Sequence, residues 1–166
     1  MNTTVIICSV HRPTILHETV LGLLKQTVQA DAIILSLCDE ASALRETKVL
    51  PGVTCVVGPQ GSSAQRNTAI PLAPTPYVLF LDDDVELASD FIGQMERIFA
   101  ADAAIAAAPG KVVADGAKGG KGIEREAALK AVHEYRGSRE CAVIKNQRLL
   151  RMQHVCQNRR IADRKV

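Results

Sequence analysis

The chain has 166 residues, of which 47% are hydrophobic and 23% are charged, and its formal net charge is +2. This length and composition are ordinary for one globular domain with a single core. Trp is absent and only three Phe and two Tyr occur. This scarcity argues against recognition by aromatic stacking, so no nucleic-acid partner is predicted.

The cysteines and the N-terminus predict a cytoplasmic protein. The five cysteines form no CxxC pair, which excludes a zinc ribbon, and their odd number without close spacing suits a reducing compartment. The N-terminus has no basic residue before its short apolar run, which is not typical of a signal peptide. No stretch approaches the ~18 apolar residues that span a bilayer.

The first part of the chain alternates apolar strands with a helix. Val5–Val10 is the first predicted strand, and Pro13 suits the first turn of the helix that follows. The apolar positions of that helix follow helical spacing, at Leu16, Val20, Leu23 and Leu24. Ala32–Leu37 and Val53–Val57 are predicted to be the second and third strands.

The alternation continues to the middle of the chain. A helix is predicted from the Gly-Ser-Ser segment 61–63 towards Pro71, with the serines as N-caps. Tyr77–Leu81 is the fourth strand and ends at three consecutive aspartates. Ser89 is predicted to cap the next helix, and Ala104–Ala108 is a short strand of small residues.

This pattern predicts an α/β fold with a mixed, mostly parallel sheet flanked by helices. Ligands of such sheets bind outside the carboxyl ends of the strands. We expect residues 1–113 to form the core, because the order weakens after it. Residues 114–166 begin with a loop containing four glycines, Asp115–Gly122, and continue with helix formers at Ile123–Tyr135.

The end of the chain is basic. Residues 145–166 contain seven Lys or Arg and one Asp. Such a tail can contact phosphates or an anionic membrane surface, which would place the protein at the inner membrane face. A solvated tail or the edge of an interface explains the same composition.

The strongest chemical signal is the run Asp82-Asp83-Asp84. Adjacent carboxylates repel one another, and a cation relieves that repulsion. Oxygen ligands at the end of a strand suit Mg²⁺ or Mn²⁺ that also holds the phosphates of a substrate. The alternative is an exposed acidic turn before a helix, where negative charge is mildly favourable.

Four segments in this order resemble the motifs of the inverting family 2 glycosyltransferases. Cys8–Pro13 is similar to their first-strand segment, and Asp39–Ser42 corresponds to their Asp-Asp-Gly-Ser segment. Gly61–Ile70 is similar to the Gly loop that leads to Ala-Arg-Asn, and Asp82–Asp84 to the DXD motif. The resemblance covers residues 5–113 and implies a GT-A fold, which is Rossmann-like.

The resemblance also implies roles for individual residues. Asp39 would accept a hydrogen bond from the base, commonly uracil, and Arg66 would lie near the base and ribose. Asp84 would coordinate Mg²⁺ or Mn²⁺ bridging the diphosphate. The residues that it implies for the donor nucleotide are Ser9, His11, Asp39, Arg66, Asp82 and Asp83.

Each assignment has a structural alternative. Asp39 is equally suited to stabilising a turn through bonds from its side chain to the backbone. Arg66 on a helix can be a surface ion-pair residue, and His11 can be a residue of the loop without a ligand.

The chain departs from the family pattern at three points. Val10 replaces the expected aromatic and His11 the expected Asn. The chain also contains no Glu-Asp pair, which in the family often includes the general base. No base is assigned, although glutamates are available after the DXD motif at Glu124, Glu126, Glu134 and Glu140.

The preferred function is inverting transfer of a sugar from a nucleotide-diphosphate donor, a UDP-sugar above all, to a hydroxyl of a saccharide or lipid-linked acceptor. The alternative is a truncated or degenerate homologue that binds nucleotide and metal without catalysis. A nucleotidyltransferase on a related fold stays open, although Cys8–Pro13 is not the Gly-rich basic loop that such enzymes usually carry.

Overall fold

A central β-sheet organises the chain. The computed structural model describes residues 3–114 and 123–134, together with the backbone of 154–157. The strands in these ranges are β1 Thr3–Ser9, β2 Ala32–Leu37, β3 Val53–Val57, β4 Tyr77–Asp82, β5 Ala107–Pro109 and β6 His154–Gln157. The α-helices are α1 Pro13–Leu23, α2 Arg45–Lys48, α3 Ser62–Ala69, α4 Phe91–Ala101 and α5 Arg125–Glu134. Single 3₁₀ turns occur at Glu40–Ser42 and Ile70–Leu72.

The strand order is β3-β2-β1-β4-β6-β5. β1 is parallel to both of its neighbours, β2 and β4, and β2 is parallel to β3. β6 is antiparallel to β4 and to β5. The predicted mixed, mostly parallel sheet is therefore confirmed. Because the chain moves outward from β1 to β3 and then returns to the other side of β1 at β4, the order reverses between β1 and β4.

The sheet has a hydrophobic layer on each face. Val5 and Ile7 of β1 belong to the larger core cluster, together with buried side chains of α1 and α4. Ile6, which points the other way, belongs to a smaller cluster with Ala69 of α3. Alternate residues of β1 are thus buried on opposite faces, which is why the centre of the strand, Val5–Ile7, is apolar.

The starts of two helices differ from the sequence predictions. The predicted serine caps of α3 are wrong, because Gly61 is the N-cap, with a φ of 126° that favours glycine, and no side chain caps the helix. α4 begins after Asp90 rather than after a capping Ser89. The side chain of Gln26 supplies the missing acceptor, since its Oε1 accepts a hydrogen bond from the N–H of Ile92.

The later part of the chain is only partly described. The predicted strand of small residues occurs as β5, shifted to Ala107–Pro109, and the predicted late helix occurs as α5. The loop Asp115–Gly122 and most of the basic tail lie outside the described residues. The domain division after residue 113 stays a prediction. Across the described residues, every helix is too short or too polar to cross a bilayer.

The buried centre of β1 supplies a test of this packing. Ile7 is fully buried in the larger cluster, so Ile7→Ala leaves a cavity and should lower the free energy of unfolding by about 3 kcal/mol. Urea titration followed by circular dichroism measures the change. The control is Val49→Ala, because Val49 is 76% exposed and should change stability by less than about 0.5 kcal/mol. Equal losses in the two variants would contradict the assigned core.

Candidate functional site

The candidate site is a cleft at the carboxyl edge of the sheet, where the strand order reverses between β1 and β4. Its volume is about 370 Å³. In doubly wound sheets this reversal is where ligands bind, because the loops on its two sides diverge. The lining residues lie at or after the end of β1, before and within α3, and at or after the end of β4: Cys8, Val10, Arg12, Gln60, Gly61, Ser62, Gln65, Asp82, Asp83 and Asp84.

The three aspartates at the end of β4 differ in exposure. The side chains of Asp82 and Asp84 are 63% and 52% exposed, whereas that of Asp83 is 1% exposed. Asp82 is the last residue of β4, and Asp83 and Asp84 lie in the turn that follows, where the middle carboxylate is buried while its neighbours remain open. The acidic run is therefore two exposed carboxylates separated by a buried one.

Asp83 joins the loop after β4 to β1 and α1. Its Oδ2 accepts a 2.6 Å hydrogen bond from Oγ of Ser9, and its main-chain oxygen accepts a 2.6 Å bond from Oγ1 of Thr19. Burial raises the pKa of Asp83, while the bond from Ser9 and the charge of Arg12 act in the opposite direction. Asp83 and Ser9 thus fix the shape of the cleft. Their predicted contacts with a nucleotide stay predictions.

Arg12 is a cation inside the acidic cluster. Its Nη2 lies 2.5 Å from Oδ1 of Asp83, and its Nη1 donates a 2.9 Å hydrogen bond to Oδ2 of Asp84. Oδ1 of Asp83 has this ion pair but no donor with hydrogen-bonding geometry among the described residues. Partial burial disfavours the charged guanidinium, but the two carboxylates outweigh it and raise the pKa of Arg12. The sequence pattern gave Arg12 no role, although it lies within the first-strand motif.

Arg66 lies beside the outer aspartate. It projects from α3, with Nη2 3.5 Å from Oδ1 of Asp82 and its guanidinium carbon 5.6 Å from the ring centre of Phe80. In the protein without a ligand, Arg66 is therefore an ion-pair residue, as the alternative interpretation predicted. Its partner is a residue of the cleft, so the same contact also holds the guanidinium where the predicted nucleotide would lie.

His11 and Asp39 form a second group, outside the lining of the cleft. Nδ1 of His11 lies 3.3 Å from Oδ2 of Asp39. Oδ1 of Asp39 accepts hydrogen bonds from the N–H and Oγ of Ser42, at 2.9 and 2.8 Å. These bonds lower the pKa of Asp39, and the bond from the hydroxyl has the largest effect. One carboxylate oxygen therefore stabilises the turn, as the structural alternative predicted, while the other faces His11.

Gln65 is a site residue that the sequence did not reveal. This buried side chain donates from Nε2 to the main-chain oxygens of Ser9 and Ser36, at 3.0 and 2.6 Å. Oγ of Ser36 donates in turn to the main-chain oxygen of Gln65. The amide ties the ends of β1 and β2 to α3 and so positions the floor of the cleft. The sequence feature that could have indicated Gln65 is its position next to Arg66 in the third motif.

Cys8 is a thiol in the lining of the cleft. Its burial raises the pKa to about 11, and the nearby carboxylates of Asp82 and Asp83 act in the same direction, against Arg66. The thiol is therefore neutral at physiological pH, and nucleophilic catalysis requires the thiolate. Cys8 is a wall of the cleft and not its nucleophile.

α5 is attached beside the site by one arginine. Arg125 contacts Glu18 of α1 at 2.5 Å through Nη1 and Glu86 at 2.9 Å through Nε. Burial raises the pKa of Glu86, and the charge of Arg125 opposes that rise. Because Glu86 follows the aspartate run by two residues, this pair links α5 to the loop that carries Asp84.

The exposed aspartates fit a hard divalent cation. Asp82 and Asp84 offer carboxylate oxygens at the open side of the cleft, and Mg²⁺ and Mn²⁺ prefer such ligands. Arg12 already occupies one side of Asp84, which shows that this position attracts positive charge. The buried Asp83 is suited to orienting its neighbours and not to direct coordination.

Comparison with known sequences decides the family. A sequence model described as Glycosyl transferase family 2 matches residues 4–165. The chain belongs to glycosyl transferase family 2. The match extends beyond the four motifs and into the C-terminal segment. No curated protein sequence matches this family 2 chain.

Two solved structures with TM-scores above 0.5 show the same fold. The 2-C-methyl-D-erythritol 4-phosphate cytidylyltransferase of Thermus thermophilus is 17% identical, with a TM-score of 0.52 over 98% of this chain and 74% of that one. The 4-diphosphocytidyl-2C-methyl-D-erythritol synthase of Anaerococcus prevotii is 15% identical, with a TM-score of 0.55 over 96% and 73%. TarS of S. aureus is 18% identical, with a TM-score of 0.47, and 61% of this chain corresponds to 20% of TarS. The family 2 chain thus has a GT-A/Rossmann-like α/β fold.

The turn at Asp39 supplies a pH test. Ser42→Ala removes the hydroxyl that has the largest effect on this carboxylate, so the pKa of Asp39 should rise towards its ordinary value of 3.8. In the wild type, a lowered folded-state pKa gives stability above the ordinary pKa that is lost as pH falls through the folded value. Carboxyl NMR titration measures the pKa, and Ser89→Ala, at an exposed serine, is the control. An unchanged pKa in Ser42→Ala would contradict the assigned cause.

Proposed function

We propose that this family 2 chain binds a nucleoside-diphosphate sugar, a UDP-sugar above all, in the cleft between β1 and β4. The observation that carries the proposal is the pair of exposed carboxylates, Asp82 and Asp84, held apart by a buried one at the reversal of strand order. A diphosphate is multiply anionic, so it binds beside carboxylates only when a cation lies between them. This arrangement supports metal-dependent binding.

In this proposal Asp84 holds Mg²⁺ or Mn²⁺, with Asp82 beside it. A bound divalent cation supplies neutralisation of the negative charge that develops on the leaving diphosphate. Asp83 contributes indirectly, because its bonds to Ser9 and Arg12 keep the loop in place. Arg12 must release Asp84 when the cation binds, and its guanidinium then lies near enough to meet a phosphate oxygen.

The nucleoside is proposed to extend from this cleft towards the ends of β1 and β2. Arg66, beside Asp82, supports a place for the ribose at the third motif. Asp39 and His11 are proposed to meet the base, since Oδ2 of Asp39 is directed towards His11 and not into its own turn. With Val10 in place of an aromatic, the base is held by polar contacts rather than by stacking.

The proposed reaction is inverting transfer to a hydroxyl. The acceptor oxygen attacks the anomeric carbon, the bond from that carbon to the diphosphate oxygen breaks, and the hydroxyl proton passes to a general base. The described glutamates of the C-terminal segment, Glu124, Glu126 and Glu134, are all exposed, and none is selected as that base. A saccharide or lipid-linked acceptor, a cytoplasmic location and contact of the basic tail with the inner membrane face stay predictions.

The second candidate is a homologue that binds nucleotide and metal without transfer. The absence of a Glu-Asp pair from the sequence favours it. Release of nucleoside diphosphate from UDP-sugars, measured with and without saccharide and lipid-linked acceptors, distinguishes the two. Acceptor-dependent release supports the transferase, whereas metal-dependent donor binding with no release under any condition supports the binding protein.

The decisive variant for the metal is Asp84→Ala. Calorimetric titration of uridine diphosphate into the full chain should show binding in Mn²⁺ and none after chelation. Asp84→Ala should abolish the metal-dependent binding and leave the circular dichroism spectrum unchanged. Losing one acid from a repulsive cluster can even stabilise the metal-free protein.

The matched control for this experiment is Asp90→Ala. Asp90 is also exposed and lies in the same segment, but it bonds Gln94 of its own helix and does not line the cleft. Its variant should bind uridine diphosphate like the wild type. Unchanged metal-dependent affinity in Asp84→Ala would remove Asp84 from the proposed site.

Arg12 gives an independent prediction. Arg12→Gln leaves Asp83 buried without its cation, so the metal-free variant should unfold at a lower temperature than the wild type. Mn²⁺ should raise the melting temperature of Arg12→Gln by more than that of the wild type, because no guanidinium competes for Asp84. Differential scanning calorimetry with Mn²⁺ and with chelator measures both effects. An equal rise in the two proteins would show that Arg12 and the cation do not compete.

A further inference from the structure

A cluster of three potential metal ligands lies apart from the aspartate run, at the ends of β1 and β2. It consists of His11, Cys38 and Asp39, whose ligand atoms all lie within 4.8 Å of one another. Nδ1 of His11 is 3.3 Å from Oδ2 of Asp39, and Nε2 of His11 is 4.0 Å from Sγ of Cys38. The nucleotide proposal uses Asp39 and His11 but leaves the thiol unexplained.

The chemistry of this set differs from that of the DXD aspartates. One imidazole nitrogen, one thiolate sulfur and one carboxylate oxygen suit a borderline-soft transition metal, whereas Mg²⁺ and Mn²⁺ prefer oxygen ligands. Tetrahedral zinc with ordinary bond lengths places its ligand atoms about 3.4–3.6 Å apart. Each residue of the cluster offers one ligand atom, so His11 would bind the metal through a single ring nitrogen. The 3.3 Å separation between its Nδ1 and Oδ2 of Asp39 is close to that range. Three protein ligands leave one coordination position for water or substrate.

Ser42 supports all three residues. Its Oγ donates a 2.8 Å hydrogen bond to Oδ1 of Asp39 and lies 3.2 Å from Sγ of Cys38. The same Oγ accepts a 3.1 Å hydrogen bond from the main-chain N–H of His11. The backbone of His11 has a φ of +54°, an uncommon conformation for a residue other than glycine. Its imidazole lies beside Cys38 and Asp39, which follow β2. Outer contacts that orient metal ligands in this way are typical of zinc sites.

We propose that His11, Cys38 and Asp39 bind a Zn²⁺ ion at a site separate from the Mg²⁺ or Mn²⁺ position at Asp84. Zn²⁺ replaces the proton of the Cys38 thiol, and binding releases that proton to solvent. The half-exposed setting of the cluster gives the ion direct access. The site needs no nucleotide and no other chain.

The location of this site gives it a consequence for the donor. If the proposed function is correct, Asp39 and His11 contact the base, so Zn²⁺ and the nucleotide compete for the same side chains. Zn²⁺ at the cluster then lowers the affinity for uridine diphosphate while the Mn²⁺ position at Asp84 is intact. This consequence depends on the proposed function, whereas the zinc site itself does not.

The test uses the full chain under reducing conditions. Co²⁺, a spectroscopic substitute for Zn²⁺, should give a thiolate-to-metal charge-transfer band that Zn²⁺ removes. Cys38→Ser should abolish the band and weaken Zn²⁺ binding, measured by calorimetry, by at least about 10-fold, because loss of an outer contact alone costs that much. His11→Ala changes an exposed side chain and should weaken Zn²⁺ binding as much as Cys38→Ser does. This second variant tests the site even if Cys38→Ser does not fold.

Two controls separate this site from the rest of the chain. Cys55→Ser, at another half-buried free cysteine on β3, should keep both the band and the Zn²⁺ affinity. Asp84→Ala should also keep them, although it loses Mn²⁺-dependent nucleotide binding. An unchanged band in Cys38→Ser, or its loss in Cys55→Ser, would overturn the assignment.

The competition is measured separately. Zn²⁺ should weaken the binding of uridine diphosphate in Mn²⁺ for the wild type and not for Cys38→Ser. If the wild type shows the band but binds no nucleotide, the zinc site stands and the proposed function fails. If nucleotide binds and no band forms, the zinc proposal fails and the proposed function stands.

Discussion

The carboxylate of Asp83 is buried where β1, α1 and the loop after β4 meet, and a buried charge must be compensated within the protein. The desolvation cost of an unpaired ion is several kcal/mol. Ser9 at the end of β1 donates a hydrogen bond to it, and Arg12 before α1 supplies the opposite charge. Thr19 of α1 holds the main chain of the same residue. The ends of three elements are thereby fixed relative to one another, and the cleft takes its shape from this constraint.

Burial divides one run of identical residues into two kinds of carboxylate. Leu81 and Asp83 are buried, while Asp82 and Asp84 lie on the open side. The buried carboxylate organises the loop, and the exposed pair offers oxygens to a cation. Replacing the run with three exposed acids would place the same charge at the strand end but would lose the link to β1.

The sequence predicts β1, β2 and β4 well because each is a short apolar run with side chains buried on both faces, as Ile6 and Ile7 illustrate. It predicts helix starts poorly, since the α4 start takes its acceptor from Gln26, which lies 66 residues earlier. The same limit applies to the site. The aspartates were recognisable as a run, but the bonds of Gln65 to the ends of β1 and β2 depend on the sheet order. Residues that act through tertiary contacts leave no local pattern.

The two ion pairs of Arg12 differ in kind, and the difference matters for the proposed cation site. The contact with Asp83 involves a buried carboxylate, so breaking it would leave a charge without compensation. The contact with Asp84 is exposed, and pairs of that kind contribute at most about 1 kcal/mol. Arg12 can therefore release Asp84 at small cost while Asp83 retains it in the cleft. A side chain anchored at one carboxylate and loosely paired with the next compensates the acidic cluster without a metal, and it would yield the outer oxygen to the proposed cation.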